Sequence, residues 1–183
     1  LQRGDSTVQK VIPKFTQFTI NSKKFFNRDN IVFPAGVIAV GKAHIYDSTV
    51  PDVLLYEGEV KTKSYSSDTT QFREIYLEEN GFNVSDEDVQ VKITNVIQNV
   101  NEVWSRTRNG NAIWTADPGE KVYYDSTSGL GDTIITFGDG ARGAVPPLGS
   151  SIDITYAITS GSAGNFGTSN IEVKSVADGD ITG

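Results

Sequence analysis

The 183-residue sequence predicts a mainly β fold, a β-rich variant of the α+β class, with two packed β lobes and little helix. Aromatic and β-branched residues occur in short blocks, and 18 glycines and 6 prolines separate these blocks. Several blocks also alternate apolar and polar residues with the period of two that a half-buried strand requires. The glycines and prolines between strands predict long, turn-shaped hairpins rather than helical connections.

This alternation and the β-branched content predict each strand. The segment 133–137 is apolar on both faces, which predicts a central strand, whereas residues 151–159 alternate isoleucine or tyrosine with polar residues. The acidic run at 85–88 resembles a helix N-terminus, and we expect a turn or one short helical turn there. Strands are expected at 8–12, 15–20, 37–46, 54–66, 72–77, 89–94, 121–124, 133–137, 151–159 and 171–176.

Two β-rich lobes are expected, residues 1–80 and residues 81–183. The turn signal Glu79-Asn80-Gly81 lies between two patterned stretches and is the expected joint. The second lobe carries the hairpin that begins at Phe137. Because the sequence contains no methionine, even at position 1, we expect it to be a fragment of a longer chain.

Composition excludes several function classes. The chain has no cysteine and one histidine, so cysteine-based metal sites, thiol nucleophiles and a histidine-rich metal site are ruled out. The net charge of −7 and the pI near 4.7 argue against a nucleic-acid partner, whose phosphates require Lys and Arg. No run approaches the ~18–20 apolar residues that span a bilayer, so no membrane insertion is expected.

The segment Phe137-Gly138-Asp139-Gly140-Ala141-Arg142-Gly143 is the densest local signal. A strand ends at Phe137, the glycines permit positive φ, and the aspartate can bind nearby backbone amides. The segment is therefore interpreted as the loop of a wide hairpin. The alternative, Asp139 as a metal ligand or catalytic acid, lacks a clustered partner in the sequence.

Other candidate sites have simpler interpretations. Residues 159–167 are rich in glycine but contain no lysine and precede no helix, so a nucleotide site is not indicated. The acidic turns at 85–88 and 178–180 lack the ligand spacing of a calcium loop. His44 is a lone histidine in a strand-like run, and the Arg3-Gly4-Asp5 tripeptide is short enough to occur by chance.

Two further hypotheses concern sugars. Paired carboxylates hydrolyse glycosides, but spacing along a strand does not place two acids in one cleft. The aromatic residues near the middle of the chain could stack on sugars, fill the core or form an interface, and the sequence does not separate these roles. The acids in question are Glu57, Glu59, Glu74, Glu78 and Glu79, and the aromatic residues are Trp104, Trp114, Tyr123 and Tyr124.

The carboxy-terminal half resembles the baseplate J family of contractile phage tails, which includes the T4-type baseplate wedge subunit. The shared pattern is a strand into Phe-Gly-Asp-Gly, a proline-rich step, a strand ending in Tyr, and a glycine-rich turn with Gly-Asn. At the amino-terminal end, residues 11–18 resemble the family's opening, with Lys14-Phe15 in place of a glycine-containing turn, and residues 33–36 also match. The residues that carry the pattern are Phe137, Gly138, Asp139, Gly140, Gly143, Pro146, Pro147, Gly149, Tyr156, Gly161, Gly164 and Asn165.

The resemblance implies a structural subunit of the baseplate wedge, which joins its neighbours into a ring around the tail tube and rearranges when the sheath contracts. It implies other wedge proteins as partners, homo-oligomer contacts within a ring, and a place in the virion tail after synthesis in the host cytoplasm. No catalytic residues, metal or cofactor come with the family. The alternative prediction is a carbohydrate-binding or adhesin β-sandwich module.

Overall fold

The computed structural model describes residues 2–3, 7–20, 22–33, 35, 54–79, 83–107, 113–159, 173–176 and 181–182. Among these residues, strands account for nearly all regular structure, and the helical part is a single 3-10 turn at Ile113–Thr115. The strands are β1 (Gln2–Arg3), β2 (Lys10–Ile12), β3 (Gln17–Ile20), β4 (Lys23–Phe26), β5 (Ile31–Phe33), β6 (Tyr56–Glu57), β7 (Glu59–Ser66), β8 (Glu74–Leu77), β9 (Asn83–Asn95), β10 (Val100–Arg106), β11 (Val122–Thr127), β12 (Thr133–Thr136), β13 (Ser151–Thr159), β14 (Val173–Val176) and β15 (Ile181–Thr182).

The mainly β fold predicted from the sequence is confirmed, with one curled multi-strand sheet and smaller sheets. The prediction of a turn or helical turn at residues 85–88 is wrong, because these residues lie inside the 13-residue strand β9. β9 pairs on both sides, with β13 and β10, and this pairing overrides the local helix-start signal. The predicted strand at 37–46, and His44 within it, lie outside the described residues.

Five strands were not predicted: β1, β4, β5, β10 and β15. In addition, the single strand expected at 54–66 is two strands, β6 and β7, interrupted at Gly58. The strand at 133–137 was expected to be central. β12 does have a neighbour on each side, β11 and β8. Its two faces are not equally buried, because Ile135 is buried and Ile134 is only partly buried.

The chain forms two compact units, one of residues 1–60 with 159–183 and one of residues 61–158. This division differs from the lobes expected at 1–80 and 81–183, because strand pairing joins distant segments. β8 pairs antiparallel with β12, and β14 pairs antiparallel with β3. Residue 80 therefore falls within the range of the second unit, and the carboxy-terminal strands belong with the amino-terminal ones.

The first unit contains a four-stranded sheet, in the order β14-β3-β4-β6, and the two-stranded pairs β2-β5 and β1-β15. Phe18, Phe26 and Phe33 are fully buried in it. The buried Asn27 side chain donates from Nδ2 to the carbonyls of Pro13 and Asp29, at 2.8 Å each. These bonds satisfy backbone oxygens where the chain turns between strands.

The second unit is built on a seven-stranded sheet in the order β7-β13-β9-β10-β11-β12-β8. Its core takes alternate residues from the strands, as the period of two requires. Burial of each such side chain stabilises the unit by roughly 1.5–3 kcal/mol. The buried cluster comprises Ile75, Leu77, Val89, Val91, Ile93, Trp104, Tyr123, Ile135, Phe137, Ile152, Ile154, Tyr156 and Ile158.

The two edge strands of this sheet, β7 and β8, are consecutive in sequence, and side chains bridge them. Arg73 donates to the carbonyl of Ser66 at 2.5 Å, near the loop that connects the strands. Farther from the loop, Lys63 Nζ donates to the carbonyl of Glu78 at 3.1 Å. The sheet thus curls until its edges meet at a seam that side chains close.

Glu79 is the centre of the seam. Lys61 Nζ lies 2.5 Å and Lys63 Nζ 3.1 Å from its carboxylate, and the Tyr156 hydroxyl donates to the same group. Burial alone would raise the pKa of Glu79, but the hydrogen bonds from Lys61, Tyr156 and Lys63 outweigh it and lower the pKa from 4.5 to about 2. Burial, with the Glu79 hydrogen bond second, raises the pKa of Tyr156. We call Lys61, Lys63, Glu79 and Tyr156 the seam cluster.

Candidate functional site

The Phe-Gly-Asp-Gly segment opens the connection between β12 and β13, as the sequence indicated. Phe137 is fully buried, and its ring meets Trp104 edge-on with 5.6 Å between ring centroids. This aromatic pair fixes the start of the loop in the core, because buried aromatic rings contribute large contact areas with a defined geometry.

Asp139 shapes the loop through its own backbone. Its Oδ1 accepts hydrogen bonds from the backbone amides of Ala141, at 2.9 Å, and Arg142, at 2.7 Å. The amide of Asp139 in turn donates to the carbonyl of Arg142, and that of Gly140 to the carbonyl of Gly143. The carboxylate therefore acts as an internal staple of the turn, in the manner of an Asx turn.

A metal site was the alternative interpretation of Asp139. Across the described ranges, no group of three or more His, Cys, Asp or Glu side chains has an arrangement that could hold a metal ion. The hydrogen bonds to Ala141 and Arg142 engage Oδ1 of the Asp139 carboxylate. What the geometry demonstrates at this position is a turn-forming role.

The two glycines that flank Asp139 are needed for different reasons. Gly140 has a φ of +92°, in the region that favours glycine. Gly138 was expected to have a positive φ as well, but its φ is not positive. Instead, a Cβ at Gly138 would lie 2.3 Å from the carbonyl oxygens of Arg142 and Gly143. Close backbone approach therefore requires glycine at 138.

Gly143 combines both reasons. Its φ is +71°, and a Cβ there would approach Ile113 Cδ1 to 3.0 Å. Ile113 is buried in the 3-10 turn. The amide of Gly143 donates to the carbonyl of Asp117, and the amide of Ala144 to that of Glu120. The loop is thus fastened to the segment before β11.

The proline-rich step is anchored to the loop that follows β7. The Ser67 hydroxyl donates to the carbonyl of Pro146 at 2.7 Å, and the amide of Gly149 donates to the carbonyl of Ser67 at 3.1 Å. Gly149 has a φ of +73°. Pro147 accepts from the amide of Ser150, which closes the turn before β13. Each of these bonds is worth about 0.5–1.5 kcal/mol.

A buried polar side chain that sequence reasoning missed also holds this step. Asn95, at the end of β9, donates from Nδ2 to the carbonyl of Leu148 at 3.1 Å and lies 3.2 Å from the Ser150 hydroxyl. Asn95 and Ser150 are both buried. A lone Asn at the end of a strand carries no sequence signal for this contact, since a hairpin turn explains it equally well.

The remaining residues of the pattern divide into two groups. Tyr156 lies in β13 with its ring fully buried, and its hydroxyl belongs to the seam cluster. Gly161, Gly164 and Asn165 lie outside the described residues. The structure therefore brings the residues from Phe137 to Gly149 into one loop and places Tyr156 on the strand that follows.

The four aromatic residues considered for sugar stacking have different surroundings, and Tyr124, in β11, is half-buried. Trp104 and Tyr123 are buried, and the Tyr123 hydroxyl donates to the carbonyl of Val89 at 3.1 Å. Burial, followed by the charge of Asp125, raises the pKa of Tyr123 to about 12. Neither ring offers a face to a ligand. Trp114, in contrast, is 57% exposed.

The acids considered as a glycosidase pair are largely engaged elsewhere. Glu59 pairs with Lys24 at 2.5 Å in the first unit. In the second unit Glu79 belongs to the seam cluster, and Glu74 accepts a hydrogen bond from the Tyr76 hydroxyl at 3.0 Å. Each of these three carboxylates therefore already has a partner in the structure.

Comparison of this chain with family models, with curated proteins and with solved structures finds no match. The described residues include no helix of the length and hydrophobicity that crossing a bilayer requires. The resemblance to the baseplate J family therefore rests on the residues of the sequence pattern alone.

Proposed function

We propose that this chain is a structural subunit of a bacteriophage contractile-tail baseplate wedge. The single observation that carries the proposal is the use of the patterned residues between Phe137 and Gly149. Their glycines, prolines and aspartate shape and anchor backbone, as a rigid scaffold requires. Such residues suit a protein whose function is to hold its binding surfaces in fixed positions.

In this role the chain joins neighbouring subunits into the ring around the tail tube, and its partners are other wedge proteins and further copies of itself. The curled sheet acts as a rigid body, because its core is continuous and its seam is bridged. When the sheath contracts, such bodies rotate about their interfaces while their internal packing is kept. The protein is made in the host cytoplasm and resides in the virion tail.

The test is the position of the chain in intact particles. Antibodies raised against the purified chain are applied to contractile-tailed particles purified from the organism whose genome carries this sequence. Electron microscopy then locates the bound antibodies. The proposal expects label at the baseplate in several copies per particle. Label on the tail fibres alone would contradict the proposal. So would unlabelled particles whose denatured proteins show no band that the antibodies recognise.

A carbohydrate-binding module is the second candidate, favoured by the exposed ring of Trp114. A glycan array with wild type and Trp114→Ala separates the two functions. Specific glycan binding that this substitution abolishes would support the module. The same substitution made at buried Trp104 is unsuitable as a control, since it would empty part of the core.

A further inference from the structure

The outer side of the hairpin loop carries an exposed aromatic and cationic surface. Phe72 and Trp114 lie in contact, with ring centroids 5.0 Å apart and an interplanar angle of 47°. The Arg142 guanidinium carbon lies 5.8 Å from the centroid of Trp114, within the range of a cation–π contact. We call Phe72, Trp114 and Arg142 the Trp114 surface.

The backbone positions this surface at a cost. Phe72 has a φ of +48°, which is unusual for a bulky residue and strains the backbone. Its amide donates to the carbonyl of Gly138 at 3.1 Å, so the hairpin loop holds the strained conformation. Ile113 is buried, whereas its neighbour Trp114 is 57% exposed. The half-buried Phe72 ring thus lies against an exposed indole.

The charge of the surface indicates the chemistry of what it contacts. The chain has a net charge of −7, yet in the described part of the structure no carboxylate lies within salt-bridge distance of the Arg142 guanidinium. An unpaired guanidinium beside an exposed indole is complementary to a carboxylate next to an apolar side chain. Trp and Arg are also the residue types enriched at the energetic centres of protein interfaces.

We infer that the Trp114 surface binds a protein segment in which an acidic residue is adjacent to an aromatic or proline residue. The carboxylate pairs with Arg142, and the apolar side chain packs on Trp114 and Phe72. A protein segment is favoured over a neutral sugar because the Arg142 guanidinium beside the indole is complementary to a carboxylate, which such a sugar lacks. The inference rests on the proposed function in taking the partner to be a neighbouring subunit.

The experiment follows the indole N–H signals of the full chain by NMR, since its two tryptophans report from different places. Trp104 is buried and serves as the internal reference for Trp114. The probe is a capped peptide of about ten residues that combines Asp, Phe and Pro, long enough to occupy one side of such a surface. Matched peptides replace every Asp with Lys or every Phe with Ser.

The inference expects a saturable shift of the Trp114 signal with the acidic aromatic peptide and an affinity at least about tenfold lower for both matched peptides. Arg142→Glu should weaken binding by about tenfold or more, while Lys92→Glu, the same charge reversal at an exposed position of β9, should leave it unchanged. Trp114→Ala, followed by peptide fluorescence anisotropy, should lose binding while near-native circular dichroism is retained.

Three results would overturn the inference: no saturable shift, equal affinity for the acidic and basic peptides, or a Trp114 shift produced by oligosaccharides and by none of the peptides. These results are separable from failure of the proposed function. If particles carry label at the baseplate but the peptide does not bind, the surface assignment falls alone. If the peptide binds but the baseplate carries no label, the proposed function falls alone.

Discussion

The hairpin loop and the seam cluster hold the second unit together by different means. In the loop, glycine geometry and bonds to backbone amides fix the chain, and Asp139 acts on residues two and three positions away. In the seam, charged side chains from β7 and the end of β8 meet at Glu79. The loop thus depends on backbone geometry and on hydrogen bonds to backbone groups, whereas the seam depends on contacts between ionised side chains.

The largest effect is expected in the loop, from Gly138→Ala. A Cβ at this position would lie 2.3 Å from two backbone carbonyl oxygens, so the loop must move. The free energy of unfolding should fall by about 3 kcal/mol or more, at the upper end of what overpacking costs. Urea unfolding of the purified variant measures the change.

Gly129→Ala is the matched control, because a Cβ there meets nothing within 4 Å. Its stability should stay within about 0.5 kcal/mol of wild type. Equal stability of Gly138→Ala and Gly129→Ala would contradict this prediction, since it would show that the loop does not need the close backbone approach at position 138.

The seam should respond to pH, and Glu79→Gln tests this. At pH 7 the substitution should cost roughly 1–3 kcal/mol, because it removes a charged acceptor shared by two lysines and a tyrosine. The pKa of Glu79 is lowered from 4.5 to about 2 in the folded state. Its contribution is therefore fully present above about pH 5 and is lost as the pH falls from about 4.5 towards 2.

Urea unfolding of wild type and variant across this pH range makes the measurement, with the exposed neighbour Glu78→Gln as control. The stability difference between wild type and Glu79→Gln should shrink on acidification, while Glu78→Gln should follow wild type. A difference for Glu79→Gln that stays constant down to pH 3 would contradict the role assigned to its charge.

The smallest effect is expected for Asp139→Ala, which removes an acceptor from two backbone amides. The loss should be about 0.5–2 kcal/mol, as for other local side chain to backbone bonds. Asp139→Asn keeps an acceptor oxygen and should retain most of the stability. Thermal unfolding by circular dichroism compares the three proteins. If Asn is as damaging as Ala, the negative charge itself matters and the staple interpretation is wrong.

The sequence predicted the fold class and the backbone role of Asp139 because both depend on local pattern. Alternation identified β13 with its observed bounds, 151–159. β4 was missed because its sequence, Lys-Lys-Phe-Phe, does not alternate, and β5 because its three residues, Ile-Val-Phe, are all apolar. The prediction at 85–88 was wrong because it used a local helix-start pattern, whereas the pairing of β9 with β10 and β13 depends on residues outside that run.

The seam cluster and the Trp114 surface were beyond sequence reasoning for the same reason. Lys61 and Tyr156 are 95 positions apart, and only the curled sheet brings both to Glu79. Phe72 and Trp114 meet because the loop after β7 and the turn before β11 both pack on the hairpin loop. A single sequence carries the residue types of such clusters but not their juxtaposition.

The proposed baseplate function is tested most directly by a cryo-electron microscopy map of intact contractile-tailed particles purified from the organism whose genome carries this sequence. The account predicts that the curled sheet fits density in a ring of repeated copies around the tail tube, with the loop at Phe137–Gly143 free of bound ion or sugar. Density for the chain at a fibre tip with a glycan in contact, or a ligand enclosed by that loop, would contradict it.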